Sequence, residues 1–209
     1  MQSLEIRPAI RGANPPERSV PIRRTLVAYG SRFGNTERLA SALARGLLKV
    51  PGTEVDCLPI AEVRPEELGR YDLIAIGGPT EIMSASHAMK EFLAKLPRTG
   101  LAGKAGFAFD TRLGAPLSGS AARFIQRHLD RHGLVRARSP ASVIVRGMTK
   151  EERARYGDEG APEWARKLQG PPGTRPSGPF RVDLLPPGVL DDFEKIGAEI
   201  GAALMSPRA

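Results

Sequence analysis

Apolar residues along this chain come in short runs separated by amphipathic stretches, and the alternation begins near residue 24. Arg24 to Tyr29 is a run of strand length, with Leu26, Val27 and Ala28 at its centre, and it reads as a buried strand. Leu39, Ala40, Leu43 and Leu47 then recur at the spacing of an amphipathic helix, placed from about Asn35 to Val50 and stopped by Pro51-Gly52. The pattern repeats. Glu54–Leu58, Leu73–Ile76, Lys104–Phe109 and Ser142–Arg146 read as four more strands, and Pro65–Leu68 as a short helical turn. Helices are predicted from about Ser86 to Leu96, Gly119 to His132 and Val189 to Leu204. Five strands alternating with helices predict an α/β fold: a doubly wound parallel sheet in the order 2-1-3-4-5, in three layers α/β/α, since each crossover must be long and right-handed.

Two segments fall outside this rhythm. Residues 1–22 hold four prolines among Arg7, Arg11 and Arg18 and read as an irregular basic arm ahead of one domain, 23–209. From about 147 to 187 the chain is polar and broken by Gly170-Pro171-Pro172-Gly173 and Pro186-Pro187, with a helical piece near Pro162–Leu168. An insertion of that length suits a lid or recognition element better than a core strand.

Composition narrows the class. Apolar residues make up 41%, and no stretch reaches the length of a membrane span, so a cytoplasmic protein is the expectation. The single cysteine, Cys57, excludes an internal disulfide and a cysteine-rich metal site. A formal charge of +8 makes the surface attractive to anions, and Arg123, Arg127 and Arg131 form a stripe at helical spacing that could dock a partner. Aromatics are only 5% and no nucleic-acid signature accompanies the arginines, which disfavours a nucleic-acid partner. His128 and His132 lie one helical turn apart without a third ligand, so no metal site is assigned. Gly100-Leu101-Ala102-Gly103-Lys104 lacks the first glycine and the hydroxyl of a nucleotide P-loop.

Candidate chemistry gathers in the loops at the carboxyl ends of three strands, which face the ligand crevice in such a sheet. They are Ser31-Arg32-Phe33-Gly34-Asn35-Thr36, then Gly78-Pro79-Thr80-Glu81-Ile82-Met83-Ser84, then Asp110 to Gly119. The first combines hydroxyls, an amide and a glycine with the open N–H groups of a helix start, a ready anion site.

Ser31–Thr36 resembles the phosphate loop of the flavodoxin family, commonly Thr/Ser-x-Thr-Gly-x-Thr. Gly77-Gly78-Pro79-Thr80 resembles its second flavin loop, and Phe107–Arg112 with Ser118–Ala122 is similar to the third loop of a bacterial flavodoxin-like subgroup. The resemblance implies FMN as cofactor, its phosphate bound by the side chains of Ser31, Asn35 and Thr36 and the backbone of Arg32, Phe33 and Gly34. It further implies a ring site built from Pro79, Thr80, Ile82, Met83, Asp110, Thr111, Arg112 and Gly119. Phe33 stands where the family usually has a hydroxyl, and Trp, Tyr and Phe are missing from both ring loops, leaving Ile82, Met83 and Leu113, or Tyr156 and Trp164 of the insertion, to cover the flavin. The expected function is electron transfer to a redox partner protein or small acceptor. The alternatives are an FMN-dependent oxidoreductase acting on a quinone or similar acceptor, and a flavodoxin fold serving as a binding module without flavin. No residue pair suggests an acid, base or nucleophile, so no catalytic side chain is assigned.

Overall fold

The computed structural model describes residues 22–81, 83–114, 119–152 and 183–206. The N-terminal arm, Ile82, the helical piece near 162–168, Tyr156 and Trp164 lie outside them. The parallel sheet is built on β1 (Arg23–Tyr29), β2 (Thr53–Pro59), β3 (Leu73–Glu81) and β5 (Ala105–Leu113), ordered β2-β1-β3-β5. The fifth position is divided. β6 (Val135–Arg136) pairs with Ala105 and Gly106 at the start of β5, and β7 (Ala141–Val145) pairs with Phe109–Leu113 at its end. Both are parallel to β5, so the predicted 2-1-3-4-5 order stands with its last member in two pieces.

Among the described residues four α-helices cover the sheet: α1 (Asn35–Leu48), α2 (His87–Ala94), α3 (Ala121–Arg131) and α4 (Val189–Met205). Ser86 and Ser120 start α2 and α3 by accepting the N–H of Met89 and Arg123 at 3.3 and 3.1 Å. The strand side chains alternate between two cores. Leu26, Ala28, Ile74 and Ile76 face Met89, Leu93, Ile125 and Leu129 of α2 and α3. Val27, Leu73, Ala75, Phe107 and Phe109 face Leu39, Leu43 and Leu47 of α1 and Phe193 and Ile200 of α4.

Two strands run further than periodicity predicts, and both extensions reach the site. β3 continues through Pro79-Thr80-Glu81 and turns back through Met83 into a two-residue β4 (Ser84–Ala85), with Thr80 opposite Ala85. β5 continues through Asp110-Thr111-Arg112-Leu113 because β7 supplies a partner for that length. Residues expected on loops therefore sit on paired backbone.

Candidate functional site

α1 begins directly after the loop that leaves β1. Gly34, in the left-handed conformation at φ 80°, ends that loop and offers no side chain to cap the helix. The first amides of α1 thus lack the usual side-chain acceptor and face the carboxyl ends of the strands. Arg32 stacks on Phe33, its guanidinium 5.1 Å from the ring centre, and its Nη2 is buried with no hydrogen-bond partner among the described residues. A buried cationic donor left over beside a bare helix start makes this corner strongly receptive to an anion.

Against that corner lies a cavity of about 380 Å³. Its polar wall includes Ser31, Arg32, Asn35, Thr36, Thr80, Thr111 and Arg112. Phe33, Pro79, Leu113, Val145, Met148 and Leu184 give it apolar surface, and Glu81, Arg146 and Gly147 complete the lining. Thr36 and Thr111 are buried and join their hydroxyl oxygens at 3.0 Å. One hydroxyl hydrogen serves that bond, which leaves the other for a third oxygen.

The remaining sequence-predicted residues shape this wall from behind. Asp110 is fully buried, and its Oδ2 accepts from Thr80 Oγ1 (3.0 Å), Ser120 Oγ (2.7 Å) and the Ala122 amide (2.9 Å). Thr80 Oγ1 in turn accepts the Ala121 amide at 2.8 Å. The carboxylate therefore serves the start of α3 and ties the second loop to the third. Gly119 has φ 63°, and a Cβ there would fall 1.9 Å from the Met83 carbonyl oxygen, so the two loops touch through a spot where a side chain would collide. Met83, itself at φ 68°, points its side chain outward and is 61% exposed. Gly77 serves the core: a Cβ on it would lie 2.1 Å from the Phe109 ring.

The pocket also uses residues that sequence reasoning left out: Glu81, Val145, Arg146, Gly147, Met148 and Leu184. They arrive from β7 and the two ends of the insertion. Arg146 holds both ends, with paired bonds to Glu152 at 2.8 Å, one to the Asp183 carbonyl at 2.8 Å, and its own amide on the Leu184 carbonyl at 3.1 Å. Its guanidinium pulls the Glu152 carboxyl down to about 2. Glu152 also accepts the Thr149 amide while Thr149 Oγ1 accepts the Glu152 amide, a reciprocal helix-start box. Asp183 pairs with Arg38 of α1 at 2.5 Å, and this guanidinium lowers its carboxyl as well. Leu184, near the close of the insertion, is thus packed in place and only 6% exposed.

Elsewhere the chemistry is quiet. Burial, reinforced by nearby Glu37, raises the Cys57 thiol to about 11, which leaves it protonated and unreactive at neutral pH. His128 and His132 donate Nδ1–H to the carbonyls of Phe124 and Pro97. Among the described residues no helix is long and apolar enough to cross a membrane.

Comparison with known proteins agrees with this architecture. The family model described as Flavodoxin matches residues 27–137, from β1 into the segment after β6. An NAD(P)H dehydrogenase (quinone) of Chromohalobacter salexigens is 32% identical over 111 residues, covering 41% of this chain and 55% of that protein. A flavodoxin of Aquifex aeolicus is 36% identical over 69 residues, 33% of this chain and 37% of its own length. The matched segment thus spans about half, or less, of these curated relatives. In three dimensions an archaeal flavodoxin has a TM-score of 0.60 at 19% identity, covering 87% of this chain and 98% of that one. Flavodoxin 1 of Bacillus cereus has 0.59 at 17% identity, covering 85% and 96%. At such identities the likeness concerns the fold.

Proposed function

The chain belongs to the flavodoxin family, and from that premise we propose that it binds FMN in the 380 Å³ pocket and works as an electron-transfer flavoprotein. The observation that carries this reading is the mixed lining of the pocket, anion-binding groups together with apolar surface. An uncapped helix start, hydroxyls and Arg32 Nη2, without a hydrogen-bond partner among the described residues, share one cavity with the apolar side chains of Pro79, Leu113, Val145, Met148 and Leu184. That pairing suits a ligand with a phosphate at one end and a flat, largely apolar ring at the other. Inorganic phosphate or a short polar metabolite would leave the apolar wall unused.

In this reading Ser31, Asn35, Thr36 and Arg32 take the phosphate with the amides of Phe33 and Gly34. Pro79, Thr80, Thr111 and Arg112 border the ring, Leu113, Met148 and Leu184 exclude water from it, and Asp110, Gly119 and Met83 fix the two loops in register. When bound, the flavin supplies the redox chemistry, and the protein supplies position and field. The positive side chains Arg32 and Arg112 favour the flavin in its more negatively charged, reduced form.

A second reading, an FMN-dependent reductase of a small acceptor such as a quinone, draws on the Chromohalobacter relative and on the open pocket rim at Leu113, which is 55% exposed. Titration of the purified protein with FMN, followed by flavin fluorescence and absorbance, tests the common core of both readings. Saturable quenching with riboflavin binding far more weakly is expected. Unchanged flavin bands at excess protein would leave a fold that binds something else. Turnover of a quinone with a nicotinamide donor separates the reductase from the carrier.

A further inference from the structure

The outer surfaces of the two helical layers differ in how their charges are settled. On the α1/α4 side, Glu194 pairs with both Arg45 and Lys49, and Glu199 pairs with Arg138. On the α2/α3 side, Arg123, Arg127 and Arg131 are exposed, stand at four-residue spacing on one face of α3, and meet no carboxylate among the described residues. The one acid of α3, Asp130, is already held by Arg136 at 2.5 Å, and that guanidinium lowers its carboxyl. Three long cations kept unpaired on one stripe repel each other, a cost that an acidic partner would relieve.

The stripe also starts at the pocket. α3 is capped by Ser120, whose neighbour Gly119 touches Met83, and its first amides bond to Thr80 and Asp110. Three exposed apolar side chains lie on the neighbouring loop and strand ends: Met83 (61%), against Gly119, and Leu113 (55%) and Ile144 (54%) on the paired ends of β5 and β7, of which Leu113 lines the pocket. An apolar spot at the cofactor mouth flanked by a charged track has the layout of a protein interface, with an apolar centre and a polar rim. Base stacking would call for exposed aromatics, and none of these three is aromatic.

We propose that the α3 stripe, with Met83, Leu113 and Ile144, is the docking surface for an acidic protein that exchanges electrons with the pocket. The site rests on the flavin reading for its purpose but not for its test. The probe is cytochrome c in two forms, native and succinylated, which keep one fold and reverse the sign of the surface. Binding of each labelled form to the full chain is read by fluorescence anisotropy over a range of salt, which needs no flavin.

The succinylated form should bind at low salt, lose affinity as salt rises, and bind far more tightly than the native form. Arg123→Gln/Arg127→Gln/Arg131→Gln should weaken it by about tenfold or more and flatten the salt dependence, while the same positions changed to Lys should restore it. FMN affinity of the glutamine variant should equal that of the parent. Equal binding of the succinylated probe by parent and glutamine variant overturns the proposal. Tighter retention of a short DNA duplex than of the acidic protein, abolished in the same variant, overturns it in favour of nucleic acid. A failure of FMN to bind would remove the flavin reading alone, since the anisotropy result stands without it.

Discussion

The Leu184 amide donates to Asn35 Oδ1 at 3.1 Å, across 149 positions of sequence, and so fastens the close of the insertion to the first residue of α1. The contact is buried on both sides, with Asn35 5% and Leu184 6% exposed. It gives Asn35 a structural duty beside the phosphate contact proposed for it.

Asn35 substitutions should separate those duties. Asn35→Ala leaves the Leu184 amide buried without an acceptor, a loss of about 1–3 kcal/mol in urea unfolding. Asn35→Asp keeps an acceptor for that amide but adds a negative charge where the phosphate is expected. Its stability should stay near the parent while FMN weakens more than riboflavin. If Asn35→Asp binds FMN and riboflavin with unchanged ratio, the phosphate does not lie there.

The Thr36–Thr111 hydroxyl pair offers a cleaner probe of the phosphate. Thr36→Val keeps the volume and removes one hydroxyl, so a bond to a charged group worth about 1.5–3 kcal/mol should go, or roughly ten- to a hundredfold in FMN affinity. Riboflavin should be far less affected. Matched fluorescence titrations of both ligands decide it, and equal losses would move Thr36 to the ring.

Arg112 should act through its field. At about 4 Å and an effective dielectric near 20, a unit charge is worth roughly 4 kcal/mol before screening, so a net effect of about 1–2 kcal/mol is expected. Arg112→Ala should then make reduction of bound flavin harder by about 40–90 mV on a one-electron scale. Arg123→Ala, on the outer face of α3, should leave the potential in place. Potentiometric titration compares the two, and a potential unmoved in Arg112→Ala denies it a tuning role.

The junction of α1 with α4 depends on absent side chains. A Cβ on Gly46 would lie 1.9 Å from the Glu194 carbonyl oxygen, and one on Gly197 2.2 Å from the Leu43 carbonyl oxygen. Gly197→Ala must push two helix backbones apart, at a cost of about 1–3 kcal/mol or more, although alanine favours an isolated helix. Gly69→Ala, where nothing lies within 4 Å of the new carbon, is the control and should be close to neutral. Chemical denaturation of both variants reads the difference.

The Arg146–Glu152 pair predicts a pH signature. Glu152 titrates near 2 in the folded chain against an ordinary 4.5, so folding favours its charged form. Its contribution to holding residues 147–152 is complete above about pH 4.5 and fades as pH falls toward 2. NMR titration of the Glu152 carboxyl should show this midpoint, and Arg146→Gln should return it toward 4.5. A midpoint already near 4.5 in the parent would mean the pair is not formed.

How much of this was legible in the sequence follows from where the information is stored. β1, β3 and β5 are covered on both faces, so their apolar runs stand out, and the α1 start announces itself by the change of period at Gly34. β6 was missed because Val135 and Arg136 are both exposed and two residues carry no period. Val145, Met148 and Leu184 share no signal in the sequence because they meet at the pocket only when the insertion returns. The one available hint was Leu184-Leu185, an apolar pair stranded among prolines immediately ahead of α4. The family resemblance puts Asp110 with the ring residues, and the structure adds a duty that no pattern announces, since its carboxylate accepts the Ala122 amide at the start of α3.

The division of the fifth strand into β6 and β7 bears on what happens at high concentration. An unbroken outer strand would present a continuous row of free backbone donors and acceptors to any passing chain, the template from which aggregates grow. Here the border holds a two-residue piece and a five-residue piece, parted by Ala137–Pro140, with Pro140 unable to donate and Arg136 and Arg138 charged beside it. An intruding strand would find no long register on which to settle along this border of a strongly basic, crevice-bearing protein.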